Sequence, residues 1–329
     1  MIDTLRLRLD VADVGGANKL SSGACLWSAV NYLSEVRYGE DANTGARWAH
    51  GRLGNADVTI NSGSIYVEVA LPTILYPSNA RILTRNEISQ AIEKICDLLH
   101  LPMWAARITR LDCSYHWPMS RPVNEFITRL GELSRFTRVL QTENTLLYHK
   151  GRKKLPNGKV KHTNEILFYN KSQECQDKRK YIPDAYEDSL VLRYECRFLN
   201  NPSQQFGMTE LKAADLGRMD FYKCMVDKWA QYYFSVAKYR RASYDFSGVK
   251  DVRTAKEWLL GFLLSHQDAT NINEVLLSMK EQKTFPDAKY YSRLRKDLQE
   301  AVAKVGSDTQ NDLIRELDNN VRNVVAYYR

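Results

Sequence analysis

The sequence predicts an α+β fold, with a largely antiparallel central sheet and flanking helices followed by an all-helical C-terminal module. Three observations carry this. Segments in the first two-thirds alternate apolar and polar residues with period two, helical stripes interrupt them irregularly, and after about residue 207 the alternation gives way to amphipathic helices. The expected division is a sheet-based domain over 1–245, with a helical end at 208–240, and a helical domain over 246–329, the boundary falling in the YDFSGVKDVR loop. No repeat or low-complexity tract interrupts either part.

Each element has its own signal. In MIDTLRLRLD, Leu5, Leu7 and Leu9 face one way and Thr4, Arg6 and Arg8 the other, as in a half-buried strand. ADVTINSGSIYVEVALP reads as a hairpin about Asn61–Ser64, its second strand burying Ile65, Val67 and Val69 and turning out Tyr66 and Glu68. Ile88, Ile92, Ile95 and Leu99 predict a helix over 85–99; Val123, Phe126, Ile127 and Leu130 predict one over 121–134. AARITRLDCSYHW sets Leu111, Cys113 and Tyr115 against Arg110, Asp112, Ser114 and His116, and SLVLRYECRFL sets Leu192, Tyr194, Cys196 and Phe198 against Arg193, Glu195 and Arg197. NEILFYNKSQE reads as one more strand, with Glu165, Leu167, Tyr169 and Lys171 opposite Ile166 and Phe168. In the tail, a helix over 286–303 enters through Pro286, packs Tyr290, Leu294 and Leu298 inward, and presents Lys289, Arg293, Arg295 and Lys296.

Composition narrows the function. The formal net charge is +8, and between Lys150 and Lys180 ten Lys/Arg stand against three acidic residues, a surplus that suits phosphate neutralisation on a nucleic acid. Arg152, Lys153 and Lys154 lead that stretch, and Arg6, Arg8, Arg110, Arg193 and Arg197 add cations on the polar strand faces as further DNA contacts, with Arg293, Arg295 and Lys296 from the tail. No apolar run approaches the roughly 18 residues of a membrane span, and the opening residues lack a signal-peptide pattern, so a cytoplasmic protein is expected. Six cysteines are scattered without CxxC spacing, which points to neither a zinc site nor a disulfide frame.

The polar faces also carry chemistry. Glu68, Asp112 and Glu195 fall on three predicted strands; pairing of those strands would let the carboxylates converge on one Mg²⁺ or Mn²⁺. Beside such a site Tyr169 is a candidate nucleophile for a phosphodiester, with Lys171 as the cation that favours the phenolate. Any one of these carboxylates alone is an ordinary solvated strand residue, and one tyrosine among nineteen carries little weight by spacing. His116 shares the face of Asp112 but lies about 13 Å along the strand from it, too far to ligate the same ion.

MIDTLRLRLD, YVEVALPTIL, ITRLDCSYHW, ILFYNKSQE and LVLRYECRFLN stand in the order seen in the rolling-circle replication initiators of filamentous phages, the gene II protein family, and resemble the related plasmid Rep-trans initiators. The resemblance spans about residues 1–210. It implies a strand-nicking and strand-joining enzyme whose tyrosine in Y-N-K-x-x-E falls on Tyr169, with carboxylates in R-L-D and R-x-E that fall on Asp112 and Glu195; Glu68 matches an acidic position of the V-E strand. Plasmid members often carry a carboxylate where this chain has His116, and the His-hydrophobe-His triplet of the other large initiator and relaxase class is absent. The implied partners are double-stranded origin DNA, single-stranded DNA and a host helicase and polymerase. Two other readings stand beside it: a mobilisation relaxase or transposase with the same chemistry, and a non-catalytic nucleic-acid-binding protein.

Overall fold

The alternation at Leu5, Leu7 and Leu9 forms strand β1 (Ile2–Asp10), which lies near the middle of a ten-stranded sheet. The computed structural model describes residues 1–14, 19–151, 153–154, 160–178, 190–238, 252–265, 276, 278–304 and 312–328. In chain order the further strands are β2 (Ser34–Glu40), β3 (Arg47–Leu53), β4 (Ala56–Asn61), β5 (Ser64–Ala70), β6 (Arg107–Pro118), β7 (Thr137–Thr142), β8 (Thr145–Lys150), β9 (Lys153–Lys154), β10 (Val160–Lys161), β11 (Asn164–Asn170) and β12 (Val191–Phe198). Across the sheet the order is β2-β3-β4-β5-β1-β6-β12-β11-β8-β7, with antiparallel pairing, while β9 and β10 pair as a separate ribbon. The expected antiparallel α+β architecture is therefore present. The β4–β5 hairpin turns where the sequence places it, because the Asn61 side-chain oxygen accepts from the backbone N–H of Gly63 at 3.0 Å and Ser64 at 2.8 Å.

Helices α1 (Lys19–Ser28), α2 (Arg85–Leu99), α3 (Val123–Ile127), α4 (Lys171–Asp177), α5 (Pro202–Gln205) and α6 (Met219–Ser235) accompany the sheet. α2 begins in a reciprocal capping box between Thr84 and Glu87 and buries Ile88, Ala91, Ile92, Ile95 and Leu99. α6 covers the apolar sheet face: Trp229 lies 4.7 Å from the Tyr194 ring and 6.0 Å from Trp117, and the Tyr194 hydroxyl donates to the Trp229 carbonyl at 2.8 Å. Phe168 stacks on Tyr194 at 4.6 Å on that face, so the opposite face of the same strands is left for polar side chains.

Two expectations change. The helix over 121–134 is only α3: Leu130 leaves it to bridge Lys238, and the Gly131 N–H donates to the Ala237 carbonyl at 2.7 Å. Lys171 is not the last residue of a strand but the first of α4, because Asn170 ends β11 and caps the helix by accepting from the Gln173 N–H at 3.0 Å. Strands β2, β3, β7 and β8 are additions the alternation did not announce.

Contacts divide the chain into two units. The first comprises Met1–Ile127, Glu132–Val236 and Asn320–Arg329; the second comprises Thr128–Gly131 and Ala237–Asn319. The expected boundary near 245 lies within residues 239–251, outside the described residues. In the second unit, helix Val252–Ser265 packs on helix Ala288–Lys304, whose Tyr290 is 42% exposed rather than turned inward, while Leu294 and Leu298 are half-buried. The last helix, Asp312–Tyr328, ends in the first unit, where Arg322 lies 5.6 Å over the Phe234 ring and Tyr328 5.5 Å from Tyr222. No helix among the described residues is long and apolar enough to cross a membrane.

Candidate active site

Strand register fixes which polar side chains meet. Across β6, β12 and β11, one rung is His116, Arg193 and Tyr169; the next is Ser114, Glu195 and Leu167; the third is Asp112, Arg197 and Glu165. Tyr169 is thus directly opposite Arg193 and diagonal to Glu195. Its hydroxyl donates to Glu195 Oε2 at 3.2 Å.

The remaining oxygens are held by guanidinium groups. Arg197 Nε donates to Glu195 Oε1 at 2.6 Å, and Arg193 Nε lies 3.3 Å from Glu195 Oε2. Arg193 Nη2 reaches Asp3 Oδ1 at 2.7 Å. Arg110 binds Asp112 in bidentate fashion, Nε at 3.0 Å and Nη2 at 2.6 Å, and extends Nη1 to Glu68 Oε1 at 2.7 Å. Arg6 also donates to Glu68, and Arg197 Nε lies 3.9 Å from Asp112 Oδ2, so one network of alternating charge runs from Glu68 to Tyr169.

The sequence suggested an outward-facing charged surface; the structure buries its centre. Asp112 and Arg193 are 0% exposed and Glu195 2%. Part of the cover is the segment around Asn79, whose carbonyl accepts from Arg193 at 3.4 Å and whose side chain accepts from Lys171 at 3.3 Å and donates to Asp3 at 3.3 Å. Burial has electrostatic consequences. It lifts the Tyr169 phenol well above its ordinary value near 10, with the Arg193 charge the main opposing influence. It raises Asp112 to about 7 despite the Arg110 hydrogen bonds, and the Glu195 charge adds to that rise. It lowers His116 to about 3, helped by the charges of Arg193 and Lys171. Lys171 is lowered by burial and by Arg193, and its ammonium pairs with Glu174 at 2.5 Å.

The cation opposite the phenol is Arg193, while Lys171 is engaged by Glu174 and Asn79. Two contributors escaped the sequence reading. Asp3 would share the Leu5 face by strict alternation, and a register shift between Ile2 and Leu5 in the β1–β6 pairing accompanies its ion pair with Arg193; a charge on an apolar face was the available signal. Asn79 sits in a turn and gave none. Of the expected DNA contacts, Arg6, Arg8, Arg110 and Arg197 are half-buried on the sheet, Arg193 is enclosed, Lys153 and Lys154 form β9, and Arg293, Arg295 and Lys296 are exposed on the helix Ala288–Lys304. Arg152 lies outside the described residues.

Glu68, Asp112 and Glu195 do not form one metal-holding group: among the described residues, no cluster of three or more His, Cys, Asp or Glu does. Glu68 is drawn away by Arg6 and Arg110. Asp112 and Glu195 are buried diagonal neighbours whose mutual repulsion contributes to the raised Asp112 value, and their oxygens are turned to Arg110, Arg197, Arg193 and Tyr169.

Residues 79–220 match the family described as the N-terminal region of the gene II replication-associated protein. The similarity covers 142 of the chain's 329 residues. The matched span carries Asp112, Tyr169 and Glu195, whereas β1–β5, with Glu68 and Asp3, precede it. No curated protein matches the chain. Among solved structures, the di-domain ARO/CYC StfQ from the steffimycin biosynthetic pathway is similar over 71% of this chain and 95% of that one, at 7% identity and a TM-score of 0.20, too low to carry an argument.

Proposed function

We propose that this replication-associated protein initiates rolling-circle DNA replication by nicking one strand of its origin through transesterification at Tyr169 and later rejoining strand ends. The observation that carries the reading is the hydrogen bond from Tyr169 to the buried Glu195 carboxylate, directly opposite Arg193. Attack by the Tyr169 oxygen on the scissile phosphorus would break the bond to the 3′ oxygen, which leaves as a 3′ hydroxyl, and would leave a 5′-phosphotyrosine that keeps the bond energy needed for rejoining. Glu195 is placed to receive the phenol's hydrogen bond and Arg193 to balance negative charge gathering between tyrosine and phosphate. Asp112 and Glu195 would hold Mg²⁺ or Mn²⁺, which supplies Lewis-acid polarisation of the phosphate. Double-stranded origin DNA and the displaced single strand are the substrates; a host helicase and polymerase would act on the nicked product.

Incubation with supercoiled origin plasmid and Mg²⁺ tests this. Wild type should give open circles carrying protein on the 5′ end, and Tyr169→Phe should give neither while still binding the origin. An adduct formed by Tyr169→Phe would move the nucleophile elsewhere. Tyr148 is the wrong candidate by geometry, since it points into the core against Phe168; Tyr181 lies outside the described residues.

A further inference from the structure

Beyond the nucleophile, the polar face continues across the other half of the sheet and becomes the floor of an open cleft of about 1290 Å³, larger than the roughly 300–1,000 Å³ of small-molecule sites. Register again defines the floor: His50, Thr59, Tyr66, Arg8 and Arg107 form one continuous rung across β3, β4, β5, β1 and β6. The segment that follows β12, residues 199–211, makes the facing wall; Asn200, Asn201 and Gln204 line it. It is fixed at both ends, by the Leu199 N–H donating to the Thr163 carbonyl at 3.0 Å and the Ile108 N–H to the Leu211 carbonyl at 2.8 Å.

The lining has a consistent chemistry. Arg8 and Arg107 share Asp10, Arg107 also meets Glu210 at 3.5 Å, and Lys161 lines the cleft as a further cation. The rings of Tyr66 and His50 stand on the same rung, with Arg8 5.6 Å from the Tyr66 centroid. Wall amides offer donors and acceptors that suit base edges. The next rung, Arg52, Asp57, Glu68, Arg6 and Arg110, leads directly to Asp112. A groove with rings and paired guanidinium groups on its floor and amides on its wall fits a single polynucleotide strand better than a duplex, whose bases are already stacked.

We infer that this cleft binds a few unpaired nucleotides of the origin strand adjoining the nick, stacking at least one base on Tyr66. The inference rests on the proposed nicking function for the identity of the strand, and the binding it describes does not require cleavage.

The test uses full-length Tyr169→Phe protein, so that no adduct forms, and a fluorescent single-stranded oligonucleotide spanning the nick site. Adding Tyr66→Ala should weaken binding roughly 5- to 150-fold, the range for loss of one base–aromatic stack, while Tyr66→Phe should restore it and origin duplex affinity should change less than twofold. Undiminished single-strand binding by Tyr66→Ala, or equal losses for single strand and duplex, would overturn the inference. Photocrosslinking of a 5-bromodeoxyuridine oligonucleotide to protein with Tyr66 intact decides independently should Tyr66→Ala not fold. Crosslinks to the Tyr66 strand or to residues 199–211 support the cleft; crosslinks confined to other segments refute it. Wild type that binds in this way yet forms no adduct would refute the nicking proposal and leave the cleft standing.

Discussion

Arg193 holds three parts of the first unit together: it pairs with Asp3 on β1, approaches Glu195 on its own strand, and donates to the Asn79 carbonyl. Breaking a buried ion pair from one side strands the other charge, at a cost of about 3–5 kcal/mol. Arg193→Met should therefore lower unfolding free energy in urea by about that amount, and adding Asp3→Asn should return part of it, since the stranded carboxylate is then neutral. His116 makes a separate prediction. An imidazole titrates near 6.5 when free and near 3 here, so its neutral form contributes stability that is present above about 6.5 and lost as pH falls toward 3. His116→Gln carries no such charge, and its urea midpoint should fall less than that of wild type between about pH 7 and pH 5. Equal falls would mean that the ring is solvated in both protonation states.

At the scale of elements, the β9–β10 ribbon joins the basic stretch to β11, the strand of Tyr169. If its charges act on phosphates, replacing Arg152, Lys153 and Lys154 with Ala should weaken binding to all DNA sequences alike and flatten the log–log salt dependence by about 0.9 for each duplex phosphate no longer neutralised. An unchanged slope would place the ribbon off the DNA. Central strands were the legible elements. β1 and β5 bury one face completely, and β6, β11 and β12 set apolar residues on one face against polar ones on the other, so all five alternate clearly in sequence, and the stripe of α2 was equally plain. β2 and β7 lie at the sheet edges with both faces largely exposed, which removes the selection for alternation that makes a strand readable. The same logic separates the site residues. Tyr169, Asp112 and Glu195 stood on clear strands, and their meeting follows from register; the coverage that turns the face into an interior comes from Asn79 and Asp3, through a turn and a register shift that period-two reading does not register.

For the whole molecule, the division of the chain changes how the helical tail must be tested. If the tail selects the origin, through Arg293, Arg295 and Lys296 on an exposed helix face, truncation near 245 is the direct test. That truncation would also remove Val321 and Val324, both buried, and Tyr328 from beside Tyr222, so it should destabilise the sheet unit as well. Triple substitution of the three basic residues with Ala in the full chain is the cleaner measurement: preference for origin duplex over competitor should fall while cleavage of single-stranded origin oligonucleotides persists. Full duplex preference in that variant would assign recognition to the sheet unit.

The return of residues 320–328 to the first unit also sets a timetable. A ribosome adds about 5–20 residues per second, so after Val236 emerges, making residues 237–319 takes roughly 4–17 s during which the sheet unit waits for its closing helix. A nascent chain stalled within that interval should lack the protease resistance of one stalled far enough beyond Tyr328 to clear the exit tunnel. If the protein nicks DNA as proposed, competence to cut would then arrive only after the closing helix has been made, and a chain lacking that helix would be held harmless by the order in which its pieces appear.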